Sequence, residues 1–222
     1  MREAGHEIGI YAGDWVLNAG EERTNKPRRE LRHGHGTFIA WPTGAFYEGQ
    51  WLFDKMHGLG RLIKPDGSIY EGSWVADCQT GFGKMKLANG TVFEGSFLNG
   101  KKHGAGTFHW DDDSSFRGSF KDDKMEGQGV YKWADGTAYD GAWRKNLMHG
   151  HGTFTWGNGS SYVGEFARDK KEGKGIYKWA DGRCYDGDWL NGKQHGYGVY
   201  KNKRGEQKEG RWENGKVVEW IR

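Results

Sequence analysis

The 222-residue chain carries a formal net charge of +3, only 35% hydrophobic residues and 39 glycines, which excludes a conventional layered core. Its 15% aromatic content, with 12 tryptophans, equally excludes a disordered glycine-rich segment, so rings packed around glycines must supply the buried surface. The single basic cluster, Arg28-Arg29-Glu30-Leu31-Arg32, is no nucleic-acid footprint. No apolar run approaches the roughly 18 residues of a membrane span, and the polar start MREAGHEIG is no signal peptide, so an intracellular, cytoplasmic protein is expected.

In chain order, the first element is Tyr11/Gly13/Trp15, a ring-x-Gly-x-ring pattern inside an offset segment, 1–46. A charged insertion at about 18–32, containing NAGEERTNKPRRE, interrupts that segment and reads as an exposed excursion. The pattern then returns every 23 residues through 47–207, at Tyr47/Trp51, Tyr70/Trp74, Phe93/Phe97, Phe116/Phe120, Tyr139/Trp143, Tyr162/Phe166 and Tyr185/Trp189. A degenerate copy, Lys208/Gly210/Trp212, opens the last segment, 208–222, whose Lys216–Ile221 is placed to fold back as a short cap. Nine units result, with atypical ends.

Within each unit a Gly-x-Gly pair alternates with the ring motif, and Asp-Gly or Asn-Gly steps such as Asp135-Gly136 and Asn191-Gly192 supply the positive φ of tight hairpins. If Ala134-Asp135-Gly136 is a three-residue loop, Tyr131 faces Tyr139, Gly129 faces Gly141 and Gly127 faces Trp143, and all the rings share one side. A two-residue loop would split them between sides. The first register also gives the glycines a purpose, because an indole can lie flat over a residue without a side chain.

Tyr47 to Ile69, YEGQWLFDKMHGLGRLIKPDGSI, resembles a membrane occupation and recognition nexus (MORN) repeat: Tyr-Glu-Gly-x-Trp, a turn, His-Gly-x-Gly, a strand and a Gly turn. Departures are Lys208 for the ring, Thr80, Glu126 and Glu172 for the His, and Asp113 for the turn Gly. The resemblance implies an all-β fold, an elongated single-layer antiparallel sheet of about nine stacked hairpins with a groove. At 4.8 Å per strand such an array would run on the order of 80 Å. The opening IGIYAGDW and the later RHGHGTF resemble the first repeat of ciliary radial spoke head members of this family.

No catalytic, cofactor or metal site emerges. The Gly-x-Gly pairs lack the Lys-Ser/Thr of a phosphate cradle, and His103, His149 and His195 recur a whole repeat or more apart rather than converging. Asp111, Asp112, Asp113, Asp122 and Asp123 read as a solvated acidic patch, and Cys78 and Cys184 show no metal spacing. The expected function is therefore non-enzymatic: a scaffold whose aromatic groove takes a helix or extended peptide of another protein, in a ciliary or flagellar axoneme. The residues expected to meet that partner are Tyr131, Trp133, Tyr139, Trp143, Phe154 and Tyr162. The alternative is a peripheral tether to acidic lipid, through Lys84, Lys86, Lys132, Lys178 and Lys201 on the opposite side, or a cortical cytoskeleton linker.

Overall fold

The computed structural model describes residues 8–17 and 30–221, which fall into two units divided between Asp111 and Asp112, within the run of regular repeats. Every regular element among them is a strand. The first unit holds β1 (Ile8–Leu17), β2 (Glu30–Trp41), β3 (Phe46–Leu52), β4 (Lys55–Ile63), β5 (Ile69–Val75), β6 (Cys78–Lys86), β7 (Val92–Leu98) and β8 (Lys101–His109). The second holds β9 (Ser115–Lys121), β10 (Lys124–Lys132), β11 (Ala138–Arg144), β12 (Leu147–Thr155), β13 (Ser161–Ala167), β14 (Lys170–Lys178), β15 (Cys184–Leu190), β16 (Lys193–Lys201), β17 (Gln207–Glu213) and β18 (Lys216–Trp220).

In each unit every strand pairs antiparallel with the next in chain order, for example β1 with β2 and β7 with β8 in the first, β9 with β10 and β17 with β18 in the second. The chain is thus a string of hairpins, as the period implied. Most of the expected insertion, 18–29, lies outside the described residues, but its last three residues, Glu30 to Arg32, are strand and pair with Leu17, Val16 and Trp15. The expected cap is also a strand: β18 extends the sheet beside β17, and Trp220 packs edge-on to Trp212 with centroids 5.6 Å apart.

Two turn types alternate. The Ala134-Asp135-Gly136 loop closes as expected, with Trp133 N–H donating to the Thr137 carbonyl at 2.9 Å, Gly136 at φ 81° and Tyr131 facing Tyr139. Asp113, where the other repeats have Gly, takes the same left-handed conformation at φ 65°. The second type is a two-residue turn with both residues at positive φ, as at Ala76-Asp77 and Arg168-Asp169. There the Asp does more than turn the chain. Its Oδ1 accepts the backbone N–H one repeat earlier, Met56 to Asp77 at 2.8 Å and Met148 to Asp169 at 2.7 Å, while its own N–H returns to the same residue's carbonyl. Each such turn staples one repeat to the one before it.

The packing core of each unit is a row of rings on one side. Tyr70 meets Trp74 of its own strand and Phe97 of the next motif, both at 5.0 Å and nearly perpendicular. Tyr139 repeats this with Trp143 at 5.2 Å and Phe166 at 5.0 Å. Such edge-to-face pairs contribute about 0.5–1.5 kcal/mol each beyond area burial. The expectation that an indole covers the glycines is corrected here. A Cβ on Gly129 would come within 2.4 Å of the Phe116 ring, and one on Gly152 within 2.5 Å of the Tyr139 hydroxyl. The first ring of the motif, Phe or Tyr, lies along its strand over the glycine, and where it is a tyrosine its hydroxyl anchors it there, Tyr139 Oη donating to the Ala142 carbonyl at 2.9 Å. The indole of Trp143 instead donates its N–H to the Gly129 carbonyl at 3.0 Å.

Candidate functional site

The ring face of the second unit has two depths. Tyr139, Trp143 and Tyr162 belong to the deep row, with relative exposures of 0%, 6% and 0%. Their polar atoms are satisfied inside the sheet, Tyr162 Oη by the Glu165 carbonyl at 3.0 Å. Burial pushes the Tyr139 phenol up to about 12, and the Tyr162 phenol higher still, with Asp140 near the former and Glu165 near the latter adding to the rise. These three rings hold the repeats together and present almost no surface.

Tyr131, Trp133 and Phe154 lie above them, half-buried. Trp133 bridges the other two, 4.4 Å from Tyr131 and 5.4 Å from Phe154 between centroids. The ladder continues beyond the residues expected from sequence: Phe154 to Trp156 at 4.6 Å, Trp156 to Tyr177 at 5.2 Å, Tyr177 to Trp179 at 4.7 Å and Trp179 to Tyr200 at 6.2 Å. Strand position explains the ladder. From Tyr131 to Tyr177 each Tyr or Phe sits opposite the deep ring of the next strand, as Phe154 faces Tyr162, and a Trp follows two residues later at the loop, whereas Tyr200 faces Lys208 and ends the ladder. The 23-residue step from Trp133 to Trp156 and Trp179 is the signal that would have found the extra rungs.

The opposite side is charged in both signs. Lys84, 60% exposed on its side chain, pairs with Glu94 at 3.5 Å, and Lys174 pairs with Asp188 at 2.5 Å. Among the described residues, no group of three or more His, Cys, Asp or Glu is placed to hold a metal ion, and no helix is long and apolar enough to cross a membrane.

The MORN repeat family model matches the chain at 31–44, 47–69, 70–92, 93–115, 116–138, 139–161, 162–182 and 185–206. No curated protein matches it. Among solved structures it is similar to the TCP domain of Drosophila melanogaster SAS-4 in complex with a proline-rich motif of Ana2, at 13% identity and a TM-score of 0.43 over 70% of this chain and 85% of that one. It is also similar to the TCP10 domain of Danio rerio CPAP, at 10% identity and a TM-score of 0.47 over 94% of this chain and 99% of that one. The same zebrafish domain with a STIL peptide gives 12% identity and 0.38 over the same shares. Likeness at this level transfers no function.

Proposed function

Because the chain belongs to the MORN repeat family, with eight matched repeats, we propose that it is a non-enzymatic scaffold that holds a peptide segment of another protein on the ring face of its second unit. The half-buried ladder from Tyr131 to Tyr200 is the observation that carries this reading. A single-layer sheet has no second layer to cover these rings, and rigid aromatics lose little entropy when a partner covers them. An extended peptide lying along the ladder would cross several repeats and bury one ring after another.

As the cellular setting we propose a ciliary or flagellar axoneme, the radial spoke head in particular, on the resemblance of IGIYAGDW and RHGHGTF to the first repeat of such proteins. The test is crosslinking of the tagged chain in isolated axonemes, repeated with Trp133→Ala and with Lys132→Ala on the opposite side. Trp133→Ala should weaken capture of the crosslinked partner about tenfold, roughly 1.4 kcal/mol, with the melting temperature little changed. If instead Lys132→Ala abolishes localisation while Trp133→Ala binds its partner normally, the chain is a lipid tether and the scaffold reading fails.

A further inference from the structure

One rung of the second unit differs in charge. Lys171, near the start of β14, faces Phe166 of β13, and its Nζ lies among four rings: 4.3 Å from Trp189, 4.7 Å from Tyr177, 5.5 Å from Trp156 and 5.6 Å from Tyr162, each to the centroid. A cavity of about 390 Å³ opens beside it, walled by Trp156, Tyr177, Trp179 and Trp189 and carrying a second cation, Lys193. Among the described residues, no carboxylate lines this cavity. Asp181, on the turn after Trp179, is already engaged by Arg183 at 2.9 Å and Lys203 at 3.1 Å.

The reason lies one repeat ahead. At Met56 and Met148 the stapling residue of the next turn is Asp77 or Asp169, whereas the turn that closes on the Lys171 carbonyl offers Gly192, whose N–H donates at 2.8 Å without bringing a side chain. The ring faces attract the ammonium but neutralise none of its charge. Burial pushes it down to about 8, so at neutral pH it is still mostly protonated while having lost part of its water. A desolvated cation beside an open cavity is complementary to an anion that brings its own apolar flanks. A phosphate dianion would ask for several convergent donors, whereas a carboxylate is met by one or two ammonium groups.

We propose that this cavity receives the carboxylate of an aspartate or glutamate in an extended partner peptide, while the surrounding rings pack the apolar residues on either side of it. The inference rests on the reading of the ring face as a peptide-binding surface and adds what that peptide must contain.

The test is selection of a displayed library of random twelve-residue peptides on the full chain and on Lys171→Met, which keeps the length and apolar stem of the side chain. Peptides enriched on the full chain should share an acidic residue at one position, and that preference should vanish on Lys171→Met. Replacing the shared Glu by Gln in a synthetic copy should weaken binding to the unaltered chain at least tenfold, and this comparison stands even if Lys171→Met folds poorly. Enriched peptides without an acidic position, or the same preference on a folded Lys171→Met, would overturn the inference and leave the peptide-binding reading intact. Absence of any enrichment would sink both.

Discussion

The two units share their deep row and differ in what lies above it. The positions that hold Tyr131/Trp133, Phe154/Trp156 and Tyr177/Trp179 in the second unit hold Phe38/Ala40, Leu62/Lys64 and Met85/Leu87 in the first, which gains a matching pair only at Phe108/Trp110. Two cations under the rings, one in each unit, are also treated differently. In the first unit the Arg32 guanidinium lies 4.6 Å from Phe38 and 4.1 Å from Trp51, and Asp54 holds it, accepting from Nε at 3.4 Å and, through its carbonyl, from a terminal nitrogen at 2.9 Å. In the second, Lys171 has rings and no acid. The deep row therefore builds the sheet, and the upper row and its charges are free to specialise.

The largest effect should come where the units are alike. A Cβ on Gly60 would meet the Tyr47 hydroxyl at 2.2 Å, and one on Gly175 the Tyr162 hydroxyl at 2.3 Å. Gly60→Val and Gly175→Val should each cost about 3 kcal/mol, because a phenol locked by its hydrogen bond cannot move aside, whereas exposed Lys132→Val should stay within about 0.5 kcal/mol. Urea unfolding of the three variants checks this. A large loss in one unit only would show that the deep rows are not equivalent.

Next come the two cations. Arg32→Met should destabilise by about 1–2 kcal/mol, since it removes the two charge-assisted hydrogen bonds that the guanidinium gives Asp54 and the cation that lies over Phe38 and Trp51. Lys171→Met should instead change the pH dependence. The folded pKa of Lys171, about 8, lies below the ordinary lysine value of 10.5, so between them the unfolded chain binds more protons and stability rises with pH. Tyrosine burial acts the other way higher up: Tyr70 and Tyr139 are pushed up to about 12, so above about pH 10 the unfolded chain loses phenolic protons first and stability falls. Melting temperatures should climb from pH 8 toward 10 in the unaltered chain, and Lys171→Met should lose that climb. An identical climb in both would remove Lys171 as its source.

Much of this was legible in the sequence, for reasons particular residues make plain. Asp135-Gly136 fixes the loop, the loop fixes the register, and the register puts Tyr131 opposite Tyr139. Depth was not legible, because a period of 23 says which side a ring is on and nothing about how far it leans. Tyr139 leans down its own strand to the Ala142 carbonyl and is buried, while Trp133 stands at the loop and is not. The stapling turns were hidden as well. Ala76-Asp77 and Arg168-Asp169 lack the Asn-Gly signature, and their second residue finds its partner 21 positions back, a contact that exists only once the repeats are stacked.

The smallest effect is the most specific, and it tests whether one turn residue separates the two treatments of a cation. Gly192 sits at φ 84°, and its counterparts Asp77 and Asp169 adopt φ 68° and 66°, so Gly192→Asp asks of the backbone only what other repeats already do. The new Oδ1 would accept the Lys171 backbone N–H, a bond contributing about 0.5–1.5 kcal/mol, against roughly 1 kcal/mol for a side chain in the left-handed region, so net stability should barely move. The charge should move. A carboxylate brought beside the ammonium favours its protonated form, so the Lys171 titration followed at its Cε by NMR should shift upward from about 8 toward the ordinary lysine range. The preference for an acidic peptide should fall with it, because the cavity would then carry its own counter-ion, as Arg32 does in Asp54. An unchanged titration in a folded Gly192→Asp would mean that the staple position does not govern the charge of this cavity, and the contrast between the units would need another cause.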